Sequence, residues 1–83
     1  MEIGKAYLFH THLGIWLGTV THVTHDEVTL DTCSWIAEQG RMGACVRTGT
    51  IQESEFVGDG VIVPRNGIKV LWTHALPTKD KPE

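Results

Sequence analysis

Residues 60–74, GVIVPRNGIKVLWTH, contain two short apolar runs on either side of Asn66-Gly67. Asn-Gly is the strongest short signal for a two-residue hairpin turn, because both central positions need positive φ. The stretch therefore predicts a β-hairpin of residues 61–65 and 68–74. Pro64 has no backbone N–H, so the first strand is expected to have an unpaired side. Because such an edge invites another chain, we expect the hairpin to complete a small barrel and to contribute to an oligomer.

A second hairpin is predicted upstream, with strands at residues 5–12 and 15–24 around Leu13-Gly14. If Thr11 lies opposite Trp16, one face of this hairpin is a continuous core face that carries Tyr7, Phe9, Trp16 and Val20. The other face carries Leu8, Ile15 and Leu17 together with His10 and His12. Since both faces are partly apolar, we expect the second to be covered by a partner subunit or by curvature of the sheet.

The middle of the chain predicts a third strand at residues 28–31, where apolar and polar side chains alternate. Ser34 is a suitable N-cap for a short helix over residues 35–39, and Gly40 is a suitable end. Residues 44–46 and 50–56 are expected to be extended. The prediction is an all-β fold, a small SH3-like or Sm-like five-stranded barrel with one short helix after the third strand. Residues 1–76 form the domain, and residues 77–83 are expected to be a flexible C-terminal tail.

Length and charge limit the classes of function. The chain has 83 residues, a net charge of −3 and an estimated pI of 5.9. An acidic chain is a poor general binder of nucleic-acid backbones, although a local basic pocket for one small anion is compatible with it. No apolar run is of membrane-spanning length, and no signal peptide is recognisable. We therefore expect a cytoplasmic protein with no membrane partner, whose Cys33 and Cys45 are buried, reduced thiols.

Two segments resemble the signatures of Sm-like proteins. Residues 18–30, GTVTHVTHDEVTL, are similar to the first signature, a glycine, a hydrophobic strand, a polar turn and a strand that ends in leucine. Residues 61–71, VIVPRNGIKVL, are similar to the second, in which an Arg-Gly turn joins two strands. Asn66 separates Arg65 from Gly67 here, and no N-terminal helix precedes the first strand. The resemblance implies an Sm-like barrel and, as an alternative function, binding of single-stranded RNA.

A further resemblance covers most of the chain. The chain is similar to a family of small proteins encoded by tailed phages and prophages in residues 35–38 with Gly40-Arg41, in Gly49 with Glu53 and Glu55, and in residues 72–77. The resemblance implies a phage origin and the cytoplasm of the infected host cell, and it implies no particular activity. By analogy of size and origin, an anti-defence role is expected, either as a sponge for a nucleotide signal or as an inhibitor of a host protein.

Neither a metal site nor a catalytic site is predicted. His10 and His12 lie on one strand face, but zinc needs three or four converging ligands. The cysteines are not in a Cys-x-x-Cys pair, and no hydrolase, phosphate-loop or metalloprotease motif is present. We therefore expect a protein that is not an enzyme and has no cofactor.

A ligand site is predicted from aromatic and basic residues, because nucleotide recognition needs a flat π-face for the base and an arginine fork for the phosphate. The expected function is a homo-oligomer that sequesters a small anionic ligand, such as a nucleotide or cyclic nucleotide, at a subunit interface. An inhibitor that docks on a host protein is the other alternative. The predicted ligand-binding residues are Trp35, Arg41, Arg47, Arg65, Trp72 and His74.

Overall fold

A computed structural model describes residues 1–82 of the chain. It contains six antiparallel strands and one short helix between the third and fourth strands. In chain order the elements are β1 (Ala6–Thr11), β2 (Gly14–Val23), β3 (Glu27–Glu38), α1 (Met42–Thr48), β4 (Glu53–Gly58), β5 (Val61–Pro64) and β6 (Ile68–Trp72). The all-β prediction with one short helix after the third strand is confirmed at this level.

The sheet follows the order β4-β3-β2-β1-β6, and β5 also pairs with β3. β4 pairs with the second half of β3 and β5 with the first half, so β4 and β5 follow one another along one edge. Within residues 1–82 no strand pairing joins β6 to β4 or β5, and the sheet is therefore not closed by hydrogen bonds. The predicted count of five strands is wrong because this edge strand is interrupted.

The interruption lies beside a sharp bend in β3. Thr32 has φ 49°, an unusual value for a β-branched residue. Two carboxylates hold the bend, since the Thr32 N–H donates to Asp59 and the Gly60 N–H donates to Asp31, at 2.9 and 3.0 Å. Such an irregularity twists a strand and redirects its side chains.

The hairpin predicted for residues 61–65 and 68–74 is wrong. The predicted two-residue turn is also absent, because Gly67 has positive φ but Asn66 does not, and the chain only bends here. β5 pairs with β3 and β6 pairs with β1. Gly67 has φ 110°, and a Cβ at this position would collide with the carbonyl oxygen of His10. This bend therefore carries the chain across to the opposite edge of the sheet, where it packs against β1.

The helix predicted for residues 35–39 is also wrong, because residues 35–38 are the end of β3. Trp35 and Ala37 are exposed while Ser34 and Ile36 are buried, which is the alternation of a strand. The observed helix, Met42–Thr48, occupies residues expected to be extended. It ends at Gly49, which has φ 75° and donates its N–H to the carbonyl of Cys45.

Two hydrophobic clusters lie on the two faces of the sheet. The helix-side cluster comprises Leu8, Leu17, Ile36, Cys45, Ile51 and Trp72. The β5-side cluster comprises Phe9, Val20, Val28, Leu30, Cys33 and Val63, with Tyr7 and Trp16 packed against it. Phe9 lies opposite Trp16, two residues away from the predicted register, and a shift of two preserves the faces. The predicted core face is therefore confirmed, and α1 covers the other face from within the chain.

The C-terminal segment runs beside β4. Lys81 and Ser54 exchange backbone hydrogen bonds of 2.8 and 2.9 Å, and an Asp80 carboxylate oxygen accepts the Phe56 N–H at 2.8 Å. Both Asp80 and Lys81 belong to residues 77–83, the predicted tail. The last residue of this tail, Glu83, lies outside the described residues.

Candidate functional site

A basic cleft lies where the turn between β5 and β6 meets the turns at the ends of β1 and β2. Its volume is about 460 Å³, within the range typical of small-molecule sites. Two permanent cations, Arg65 and Lys69, face a single carboxylate, Asp26, before either histidine is protonated. The residues that define this basic cleft are His12, His25, Asp26, Arg65, Asn66 and Lys69.

Backbone contacts position Arg65 at the wall of the basic cleft. The Arg65 N–H donates to the carbonyl of Asp26, and its guanidinium donates one N–H to the carbonyl of Thr24, each at 2.9 Å. A guanidinium has five N–H donors in a planar fork, so the remaining ones are available to an anion. The fold thus tethers the arginine through one donor and leaves a fork for a phosphate or carboxylate.

Two further charged side chains, the ammonium of Lys69 and the carboxylate of Asp26, line the cleft with the Arg65 guanidinium. The Lys69 ammonium donates to the carbonyl of Gly67 at 3.1 Å, which holds the side chain over the turn. Asp26 is paired with His25, its carboxylate oxygen lying 2.9 Å from Nδ1, and both groups are almost fully exposed. Arg65 and Lys69 together outweigh the one carboxylate, and the basic cleft is therefore suited to an anion.

The six residues predicted to bind ligand do not form one site. Trp72 is buried in the helix-side cluster, and its indole N–H donates to the carbonyl of Ala75. His74 packs edge-on against Trp72, with ring centroids 5.1 Å apart, and its Nε2 lies 2.7 Å from the carbonyl oxygen of Val46. This pair attaches the segment after β6 to α1.

The other predicted residues are on the surface in three places. Arg65 lies in the basic cleft, as described above. Arg41 precedes α1 and Arg47 is in its last turn, and both are exposed. Trp35 is 38% exposed on β3 and lines a different cleft. Neither of the two predicted tryptophans therefore lies in the cleft that contains Arg65.

Sequence analysis missed the partners of Arg65 in the basic cleft. His12 follows β1, Asn66 lies between β5 and β6, and His25-Asp26 lie between β2 and β3. Lys69 is the second residue of β6. The available signal was that each of these residues lies at or near the end of a strand, where the connections of an antiparallel sheet gather. Only the pairing of β6 with β1 brings Lys69 to the same end as His12.

The cysteines are not suited to nucleophilic chemistry. Both are buried and free. Burial raises the pKa of Cys33 to about 12, an effect larger than the opposing backbone hydrogen bond from Leu17, and burial also raises the pKa of Cys45. The thiolate is the reactive form, so both groups are expected to be inert in the folded protein.

Two further features of residues 1–82 concern metal binding and membrane crossing. In this part of the chain no group of three or more His, Cys, Asp or Glu side chains is placed to hold a metal ion. No helix within the same residues has the length and apolar character needed to cross a membrane.

Comparison with known protein families, with characterised proteins and with solved structures found no match to this chain. The phage and Sm-like resemblances therefore remain predictions from the sequence. The class that the structure supports is a small antiparallel β domain with a basic cleft at one end.

Proposed function

We propose that this protein is a non-enzymatic binding protein that captures a small anionic ligand of the nucleotide class in the basic cleft. The observation that carries the proposal is the fork of Arg65 beside Lys69, with one carboxylate nearby. A guanidinium binds a phosphate through two parallel N–H···O bonds, which are among the stronger hydrogen bonds in proteins. The imidazole ring of His12, in the same cleft, offers a flat surface beside the phosphate site.

The side chains of the basic cleft are compatible with capture of a ligand without a chemical reaction. The side chains that line the basic cleft include no Ser, Thr or Cys nucleophile within residues 1–82, and both thiols lie in the core. A sponge needs affinity and stoichiometry rather than turnover. The proposed mechanism is stoichiometric capture of a phage-relevant nucleotide signal in the host cytoplasm, in line with the sequence resemblance.

A calorimetric titration against adenosine monophosphate, a cyclic mononucleotide, inorganic phosphate and neutral adenosine tests the proposal. We expect saturable binding of the phosphorylated ligands and none of adenosine. Arg65→Gln should weaken binding by about tenfold to a hundredfold, the effect of one or two charge-assisted hydrogen bonds. The matched control is Arg47→Gln, which removes the same charge from the exposed end of α1 and should leave the affinity unchanged.

Three outcomes would overturn the proposal. The first is the absence of heat with every ligand, and the second is equal binding of adenosine. The third is loss of binding in Arg47→Gln but not in Arg65→Gln, which would move the ligand to the arginines of α1.

The proposed homo-oligomer is supported by the two ends of the sheet. β6 is a terminal strand with Ile68 and Leu71 exposed by 62% and 48%, and β5 at the other end has Ile62 exposed by 59%. Apolar side chains on terminal strands favour pairing with a second chain. Light scattering should give a mass of two or more subunits, and Leu71→Lys should lower it.

A second candidate function, docking on a host protein, is favoured by the same β6 surface. Strand addition to a terminal strand provides main-chain hydrogen bonds to a partner. If light scattering shows a monomer while the host partner binds wild type and not Leu71→Lys, this function replaces self-association at β6. The acidic net charge does not favour the single-stranded RNA alternative.

A further inference from the structure

A second cleft, separate from the basic one, lies on the second half of β3. Its volume is about 340 Å³, and Trp35 forms part of its wall. Trp35 lies opposite Glu55 of β4, and Glu53 follows on the same face of that strand. Asp80 and Pro82 of the C-terminal segment complete the side beyond β4. We call this the Trp35 cleft.

The indole of Trp35 is positioned by its neighbours. A Cβ at Gly14 would lie 2.9 Å from the indole nitrogen, so the ring rests against the backbone at the start of β2. Gly14 has φ 119°, a conformation that favours glycine and permits this close approach. Trp35 nevertheless remains 38% exposed. The fold therefore presents part of a large aromatic surface to the cleft instead of burying it in the β5-side cluster.

The carboxylates around this ring lack positive partners. Within residues 1–82 the ion pair that the structure contains is His25–Asp26, so Glu53, Glu55 and Asp80 are in no salt bridge. Asp80 is held in place by its hydrogen bond to the Phe56 N–H. This wall thus carries negative charge that has no ion-pair partner within residues 1–82.

We propose that the Trp35 cleft binds an organic cation, an ammonium or guanidinium group that lies on the Trp35 ring and is held by Glu53, Glu55 and Asp80. Tryptophan is the best aromatic partner for a cation, and the attraction increases when the site is partly desolvated. A guanidinium also matches the geometry of a carboxylate through two N–H donors. The cation could be a free amine or the side chain of an arginine in a partner protein, and the chemistry of recognition is the same.

An NMR titration followed through the Trp35 indole N–H and the amides of β4 tests this site. The probes are agmatine, a capped Gly-Arg-Gly peptide, and the same peptide with citrulline, which keeps the shape of arginine but has no charge. We expect saturable shifts confined to the cleft with the two cations and none with citrulline. A tighter response to the arginine peptide assigns the site to a protein partner, and a tighter or equal response to agmatine assigns it to a free amine.

Substitutions distinguish the contribution of the Trp35 ring to cation binding from that of the negative charge of the surface. Trp35→Leu should weaken cation binding by about fivefold to tenfold, and Trp35→Phe by less. Glu55→Gln should also weaken it, whereas Glu27→Gln, an equal change at the exposed start of β3, should not. If Trp35→Leu does not fold, the double variant Glu53→Gln/Glu55→Gln is the test.

Several results would overturn the inference. They are shifts with the citrulline peptide equal to those with arginine, shifts spread over the whole acidic surface, or unchanged affinity in Trp35→Leu and in the double glutamine variant. Because this cleft shares no residue with the basic cleft, loss of anion binding in Arg65→Gln leaves the test of the Trp35 cleft intact.

Discussion

The two halves of β3 pair with different strands and lie near different clefts. The first half, up to Leu30, pairs with β5, and its Val28 and Leu30 side chains enter the β5-side cluster. The second half, from Cys33, pairs with β4, and its Ile36 side chain enters the helix-side cluster. The basic cleft lies near the beginning of β3 and the Trp35 cleft near its end. The bend at Thr32 therefore lies between the part of β3 near the basic cleft and the part near the Trp35 cleft, which is acidic.

The bend reverses which side chains face which core. Val28, Leu30 and Ile36 are all at even positions, yet the first two face one cluster and the third faces the other. The extra residue at Thr32 shifts the alternation by one, which is the effect of a bulge on a strand with period two. As a result Trp35 points to the face of the β5-side cluster but lies beyond its end, where it remains exposed. The irregular residue Thr32 thus leaves part of the Trp35 ring exposed at the end of this sheet face.

The largest expected effect is the loss of a core ring. Phe9 is fully buried in the β5-side cluster, and Phe9→Ala should lower the free energy of unfolding by about 3–5 kcal/mol. β2 and β3 pass through both clusters, so we expect both to unfold in one transition. Urea unfolding followed by circular dichroism and by tryptophan fluorescence should give coincident curves. Separate transitions would show that the two halves are independent units.

Alkaline pH tests the β5-side cluster through Cys33. Its pKa is raised from 9.0 to about 12 in the folded protein, so unfolding releases a proton between these values. Stability is then fully present below pH 9.0 and decreases as pH rises towards about 12, by an amount on the order of a few kcal/mol. Urea unfolding at several pH values should show this decrease, and Cys33→Ala should reduce it. An equal decrease in Cys33→Ala would assign the effect to other groups.

Gly49→Ala tests the helix-side cluster. Gly49 has φ 75°, and a Cβ there would lie 2.7 Å from the His74 ring, which packs against Trp72. The substitution should destabilise the protein by about 1–3 kcal/mol through backbone strain and displacement of His74. Hydrogen exchange should increase most in α1. Gly58→Ala is a matched control with φ 118° but open space around its Cβ, and it should show the strain without the displacement.

The smallest expected effect concerns the bend itself. Asparagine tolerates positive φ better than threonine, so Thr32→Asn should raise the free energy of unfolding by about 1 kcal/mol and leave both clefts unchanged. Thermal unfolding and the two ligand titrations measure these effects. A loss of stability would mean that the Thr32 side chain makes a contribution larger than its backbone strain.

Local patterns in the sequence were sufficient for the faces of the first hairpin. Tyr7, Phe9, Trp16 and Val20 alternate with Leu8 and Leu17, and any register that differs by two preserves these faces. The same reasoning failed for residues 35–39. A serine cap is a weak signal, and the pairing of this segment with both β2 and β4 outweighs it. The local helix signal did not determine the secondary structure of this segment, because strands were available to pair with it on both sides.

The candidate sites were predictable only in part. Arg65 was selected because a turn beside a strand can present a fork to a ligand, and the structure places it in the basic cleft. Trp35 was selected as an aromatic surface, and the structure leaves it partly exposed. Trp72 and His74 were selected for the same chemistry, but they pack between β6 and α1 because the chain after β6 covers the helix-side cluster.

The sequence by itself determined the all-β class, the alternation of buried and exposed residues in the first hairpin and a break between strands at Asn66-Gly67. These properties follow from contacts between residues that are close in the chain. Only the tertiary structure decided that β5 and β6 part at Asn66-Gly67, that β3 bends at Thr32, and that charged residues from strand ends and connections gather into one cleft. The physical reason is that strand pairing depends on burial of the two sheet faces, which involves the whole chain at once.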